Sequence, residues 1–168
     1  MPAHNGDALL IEFLGNDGDA HRIWIDGGLV KSYEEHGKPV LTALQQQQEK
    51  LDLMVVTHID QDHIGGILAF MRDKRMPRDM VYQVWFNSGR LLSAHFHSSP
   101  QAARNVALAD PGTSERSLNQ GRLLEDELTD RRVWHEYPIT RFQRYDLFGA
   151  TLTVLSPSEE GLARLNRE

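Results

Sequence analysis

Residues 57–63, Thr57-His58-Ile59-Asp60-Gln61-Asp62-His63, place two imidazoles and two carboxylates within six residues, directly behind the run LDLMVV at 51–56. That run, apolar but for one aspartate and ending in β-branched valines, reads as a strand buried on both faces. A chain that carries four metal-type side chains out of a buried strand is constrained to an α/β layout, with loops at one sheet edge bearing the chemistry. If the segment leaves the strand as a loop and enters a helix at Ile64, side chains 58, 60, 62 and 63 converge above the strand end. Gly65-Gly66 then permits a close backbone approach or a positive φ. Asp26 closes another expected strand, is followed by its own Gly27-Gly28, and can reach the same edge.

Cysteine is absent from the 168 residues, so any metal here takes histidine nitrogen and carboxylate oxygen, the donors accepted by a divalent ion such as Zn²⁺ or Mn²⁺. The competing reading makes His58 and Asp62 polar caps at a strand-to-helix junction, where aspartate is favoured. One Asp-His pair would leave that reading ahead; four such side chains in six residues favour a metal site. His95 and His97 have a His-Phe-His spacing that could ligate metal but fits a surface loop better. His4, His21, His36 and His135 are expected to be structural or exposed.

Strands are expected at 8–13, 21–25, 51–56, 81–86 and 151–155, the first two forming a hairpin across a Gly/Asn/Asp loop. A helix entered near Pro39 is expected within 32–50, others at 64–72 and 117–128, and a terminal amphipathic stretch after Ser156-Pro157-Ser158. Residues 90–111 read as loop with at most a short helix. No repeat or linker divides the chain, so residues 1–168 are taken as a single domain.

A formal net charge of −6 argues against a broadly basic nucleic-acid-binding surface. Arg72, Lys74, Arg75 and Arg78 form a basic run that could receive phosphate, although a solvated helix end is the more economical reading. No apolar stretch approaches the length of a membrane span, and the N-terminus has no basic region leading into a long apolar run. With the absence of cysteine, this makes a cytoplasmic protein away from membranes the expectation.

His58-Ile59-Asp60-Gln61-Asp62-His63-Ile64-Gly65-Gly66 resembles the second motif of the metallo-β-lactamase superfamily, H-x-H-x-D-H, with Asp60 in place of the second histidine. That variant is similar to the branch containing the hydrolase domain of ComEC-type DNA-uptake proteins. Asn5-Gly6-Asp7-Ala8-Leu9-Leu10-Ile11 resembles the branch's opening strand, Ile25-Asp26-Gly27-Gly28 its first motif, and Leu155-Ser156-Pro157-Ser158 its L-x-P segment. The resemblance implies an αββα sandwich and a site for one or two divalent metals, Zn²⁺ or Mn²⁺. It makes His58 and Asp60 ligands of the first ion and Asp62 and His63 ligands of the second. Asp62 and Asp26 carry the catalytic assignment, Asp26 as a hydrogen-bonding support. The family's later strand ending in Gly-Asp and its last histidine have no counterpart after Asp19 and after this region, respectively. The chain is therefore expected to represent an incomplete sandwich, its N-terminal half, completed by a missing C-terminal segment or a partner subunit.

The functional expectation is metal-dependent hydrolysis by a metal-activated water, with a phosphodiester in nucleic acid or a nucleotide as substrate by resemblance. Hydrolysis of a small ester, lactone or amide is the alternative within enzymes. A non-catalytic metal-binding interaction module is the alternative outside them.

Overall fold

A computed structural model describes residues 1–2, 6–97 and 115–166. At its centre β3 (Leu51–Val56) pairs in parallel with β2 (Ala20–Ile25) on one side and β4 (Val81–Phe86) on the other. β1 (Leu9–Leu14) folds back antiparallel on β2, giving the order β1-β2-β3-β4. Parallel neighbours require crossovers, and both crossovers are helical. The first consists of an α turn (Val30–Ser32), a π turn (Tyr33–Gly37) and α1 (Lys38–Gln46); the second is α2 (Gln61–Arg72). Further along lie α3 (Gly89–His95), α4 (Glu115–Arg131), the strands β5 (Arg144–Leu147) and β6 (Ala150–Thr153), and α5 (Glu159–Leu165). The class is α/β, as expected. No described helix is long and apolar enough to cross a membrane.

The main core joins the sheet to its helices. Trp24 and Met54 meet Leu41 from α1, Ile64, Ile67, Phe70 and Met71 from α2, and Leu124 and Leu128 from α4, all fully buried or nearly so. Burying each such side chain contributes about 1.5–3 kcal/mol, so this layer fixes α2 and its N-terminal residues relative to β3. On the opposite face Ile23, Leu53 and Trp85 pack with Ile139, and Tyr145, Leu147 and Leu152 of the β5–β6 hairpin lie against them. Leu9 and Ile11 pair with Ile25 and Ile23 on β1 and stay 50% and 43% exposed, so the hairpin leaves the β1 end of this face open.

Several expected boundaries are corrected. The helix expected near Pro39 begins earlier, at Val30, through the π turn: Gly37 abuts the buried indole of Trp24, where a Cβ would come within 2.9 Å of the ring. α2 begins at Gln61, so Asp62 and His63 belong to its first turn and not to a loop. The strand expected at 151–155 runs from Ala150 to Thr153 and does not extend the main sheet; it forms a separate sheet with β5. The 90–111 segment opens with the short helix α3, which starts at Gly89; its remainder from 98 onward lies outside the described residues, as do His4 and Asn5.

His21 joins the far end of the sheet to both hairpin loops. Its ring is 3.0 Å from Asp52 Oδ1 through Nδ1 and 3.0 Å from Asp17 Oδ2 through Nε2, and it stacks on Phe148 at 3.5 Å. Burial alone would push the His21 pKa down, but hydrogen bonds to Asp52 and Asp17, with their charges, reverse this and leave it raised above 6.5. A folded-state value above the unfolded one gives stabilisation fully present below pH 6.5 and lost as pH rises through the folded value. His135 is shifted down by burial, against the raising effect of Glu136, so its opposite contribution falls below pH 6.5. As pH rises above 6.5, Tm is therefore expected to fall for the wild type and to stay flatter for His21→Gln. Equal slopes in thermal melts of the two proteins would contradict this account.

Candidate metal centre

Parallel pairing of β2 and β3 brings their C-terminal ends to one edge, and the candidate residues leave from there. β3 runs out at Val56 into Thr57, His58 and Ile59, and Asp60 takes the N-cap position of α2 in extended conformation. An aspartate at this position ordinarily turns its carboxylate onto the helix N–H groups. Asp60 makes no side-chain cap; its Oδ2 lies 3.5 Å from His58 Nε2.

Asp26 continues the β2–β3 ladder by donating its N–H to Val55 O at 2.9 Å, then turns into the left-handed region with φ 52°. That conformation is uncommon for a residue with a Cβ, and aspartate tolerates it better than most. It points a carboxylate that is only 2% exposed at three donors. Oδ1 accepts from Thr57 N at 2.9 Å, and Oδ2 accepts from Thr57 Oγ1 at 2.5 Å and faces His63 Nδ1 at 3.0 Å.

The two Gly-Gly pairs explain how α2 comes so close. Gly27 donates to His63 O at 2.8 Å, and Gly66 donates to Gly28 O at 2.9 Å. A Cβ on Gly66 would overlap the Gly27 carbonyl, with Gly27 C at 2.7 Å, and one on Gly27 would lie 2.8 Å from Gly66 C. Backbone meets backbone here, a contact open only to residues without a side chain.

The outcome is a group in which one ligand-type atom each from Asp26, His58 and His63 lies within 4.8 Å of the others. The two imidazole rings are 3.7 Å apart between centroids. Asp60 adjoins the group through His58; the Asp62 carboxylate is not part of it, and the Asp62 main chain and Cβ lie against Gly6. Since the oxygens of Asp26 are engaged by three hydrogen bonds, the donors that the structure leaves for an ion are the two imidazoles, with the Asp60 carboxylate beside His58. Two nitrogens and hard oxygens without thiolate suit Zn²⁺ or Mn²⁺.

His95 ends α3 and lies 3.7 Å from Glu159, and His97, at φ 52°, follows that helix; neither belongs to the group. The basic run sits at the other end of α2, about 18 Å away along twelve residues of helix. There Arg72 pairs with Glu127, Arg75 with Asp73 and Arg78 with Asp130, which favours the solvated helix end over a phosphate site. Thr57 carried no role in the sequence reading, yet its hydroxyl touches both Asp26 Oδ2 and His58 Nδ1. A hydroxyl residue standing immediately before His58 at the strand end was the available signal.

Against known families, residues 2–146 match the family model described as the metallo-beta-lactamase superfamily. No curated protein matches the chain.

Proposed function

The chain belongs to the metallo-beta-lactamase superfamily, and from that premise we propose that it is a metal-dependent hydrolase whose ion is held by His58, His63 and Asp60, with Asp62 added on the strength of the motif. The observation that carries this is the gathering of Asp26 and His58, at the ends of two neighbouring parallel strands, with His63 of the first turn of α2, and with Asp60 turned to His58 instead of capping its helix. A divalent ion bound there supplies a water of lowered pKa and an electrophile for the scissile bond. The protein's part is to hold the imidazoles rigidly. Asp26 does so from a buried position, and the glycine contact keeps α2 at the distance that its hydrogen bonds require.

Within the superfamily, the H-x-D-x-D-H-x-G-G form of the motif supports a place beside the ComEC-type branch, and with it a phosphodiester substrate in nucleic acid or a nucleotide, handled in the cytoplasm. We further propose that the open β1 end of the sheet, where Leu9 and Ile11 stay half-exposed, is covered by a further sheet carried on another segment or a partner subunit, which adds ligands. Light scattering after size exclusion, which would find a self-sufficient monomer with a complete site if this is wrong, tests that arrangement.

Calorimetry with Zn²⁺ and with Mn²⁺, followed by cleavage of a model phosphodiester, a lactone and an anilide, tests the activity. Stoichiometric binding and metal-dependent release from the phosphodiester are expected, with binding weakened severely in His58→Ala and Asp62→Ala because each loses a donor. Cleavage of the lactone or anilide alone would move the substrate to the small-ester or amide class. Wild-type affinity in both variants would remove the metal assignment.

A further inference from the structure

We infer that Thr57 is a positioning residue that fixes the tautomer of His58, so that one buried carboxylate, Asp26, orders the protons of both imidazoles at the site. The inference rests on the proposed metal site and adds to it how the nitrogens are readied.

The proton count at three atoms decides it. Thr57 Oγ1 is 2.5 Å from Asp26 Oδ2 and 2.9 Å from His58 Nδ1, and a hydroxyl has one proton to give. A carboxylate oxygen can only accept, so the short contact requires the hydroxyl proton to point at Asp26, as a charge-assisted bond. The reverse orientation would set two unprotonated oxygens against each other at 2.5 Å. With its proton committed, Thr57 Oγ1 faces His58 as an acceptor, and His58 Nδ1 must bring the hydrogen. The lone pair of the neutral ring is then on Nε2, the nitrogen that faces Asp60. His63 reaches the same state directly, because its Nδ1 is 3.0 Å from the same Asp26 oxygen. The nitrogen that carries the proton is set by the partner of the other one, and here both partners lead back to Asp26. Ring orientation follows with it: the His58 ring is 46% exposed, and the Thr57 bond holds it together with its contact on the His63 ring.

The Thr57 N–H bond to Asp26 Oδ1 survives in Thr57→Val, which keeps the shape and removes only the hydroxyl. Nitrogen-15 NMR of the histidine side chains in the metal-free protein reads the tautomers without any activity. Wild type is expected to show Nδ1–H for His58 and His63. In Thr57→Val, His58 is expected to shift towards Nε2–H while His63 stays as it was, and Thr57→Ser is expected to restore the wild-type pattern. Calorimetry with Zn²⁺ is expected to show roughly ten- to hundredfold weaker binding in Thr57→Val, and recovery in Thr57→Ser. A His58 tautomer unchanged in Thr57→Val, or a pattern that serine fails to restore, would overturn the relay. Absence of Zn²⁺ binding in the wild type, with the tautomers behaving as described, would remove the metal reading and leave the relay standing.

Discussion

Replacing Gly66 with alanine is expected to destabilise the protein by about 3–5 kcal/mol and to disperse the Asp26–His63 pair. Elsewhere in a helix the same change would stabilise by up to about 1 kcal/mol, since alanine is the better helix former. Here the added Cβ would overlap the carbonyl of Gly27, with further contacts at 2.7 and 3.1 Å to its C and Cα, and backbone cannot rotate aside as a long side chain can. α2 would have to retreat, and with it Ile64, Ile67 and Phe70, each with no exposed surface. Retreat would also break the bonds from Gly66 to Gly28 and from Gly27 to His63, worth about 1 kcal/mol each. Gly65→Ala is the control, because its nearest neighbours stand at 3.4 Å and it needs no such movement. Urea melts should place Gly65→Ala within about 1 kcal/mol of wild type and Gly66→Ala far below it. Equal losses in the two would show that helix position, and not the approach of the two glycine pairs, sets the cost.

Legibility in the sequence followed how local each signal was. The expected limits of β3 and β4 match the observed ones, because each is a short, mainly apolar run with β-branched or aromatic residues bounded by polar turns, too short for a helix. The start of α2 was placed three residues late because Gln61, Asp62 and His63 look like loop chemistry, whereas polar and acidic residues also suit a first helical turn. The hairpin of β5 and β6 was half missed. Its two-residue turn, Phe148-Gly149, has φ 53° and 90°, and phenylalanine gives no local hint of a positive φ. What holds Phe148 there is its ring stacked on His21, a partner 127 positions earlier by their numbers in the chain. The π turn at Tyr33–Gly37 likewise depends on Trp24, a contact between separate elements that no window of sequence displays.

The site divides in the same way. His58 and Asp26 come together because both follow the ends of adjoining parallel strands, which the strand pattern made foreseeable, and the first turn of α2 brings His63 to them. Both glycine pairs were visible as permissive backbone, but their docking on each other was not, since each pair's partner is set by sheet register. Asp62 stood inside the motif and still falls outside the gathered group, because the first turn of α2 carries it beside Gly6 while His63, one residue on, meets Asp26. Adjacent residues on a helix diverge by about 100°, so density of polar residues in sequence overstates their density in space.

Substituting Asp26→Asn is expected to impair both imidazoles together, which no other single change at this edge should do. Asparagine accepts the left-handed φ of 52° at least as readily as aspartate and has nearly its volume, so backbone strain and cavity formation are set aside. What changes is the count of acceptors. Three donors converge on the two oxygens, namely Thr57 N–H, Thr57 O–H and His63 Nδ1–H, and an amide offers one oxygen and a pair of donors. Unless the Thr57 hydroxyl turns about and both imidazoles move their protons to Nε2, at least one donor meets another donor at a position only 2% exposed, where water cannot readily make up the loss. A buried donor left unsatisfied costs about 1–3 kcal/mol, and the loss of charge assistance adds to it, so about 2–4 kcal/mol of destabilisation is expected in urea melts of the metal-free protein. With His63 released directly and His58 through Thr57, affinity for Zn²⁺ is expected to fall by roughly a hundredfold, beyond the effect of Thr57→Val. Nitrogen-15 NMR should show both rings losing their fixed tautomers. An Asp26→Asn protein with wild-type stability, wild-type Zn²⁺ affinity and both imidazoles still protonated on Nδ1 would show that the rings are held by their own packing and that Asp26 is a bystander.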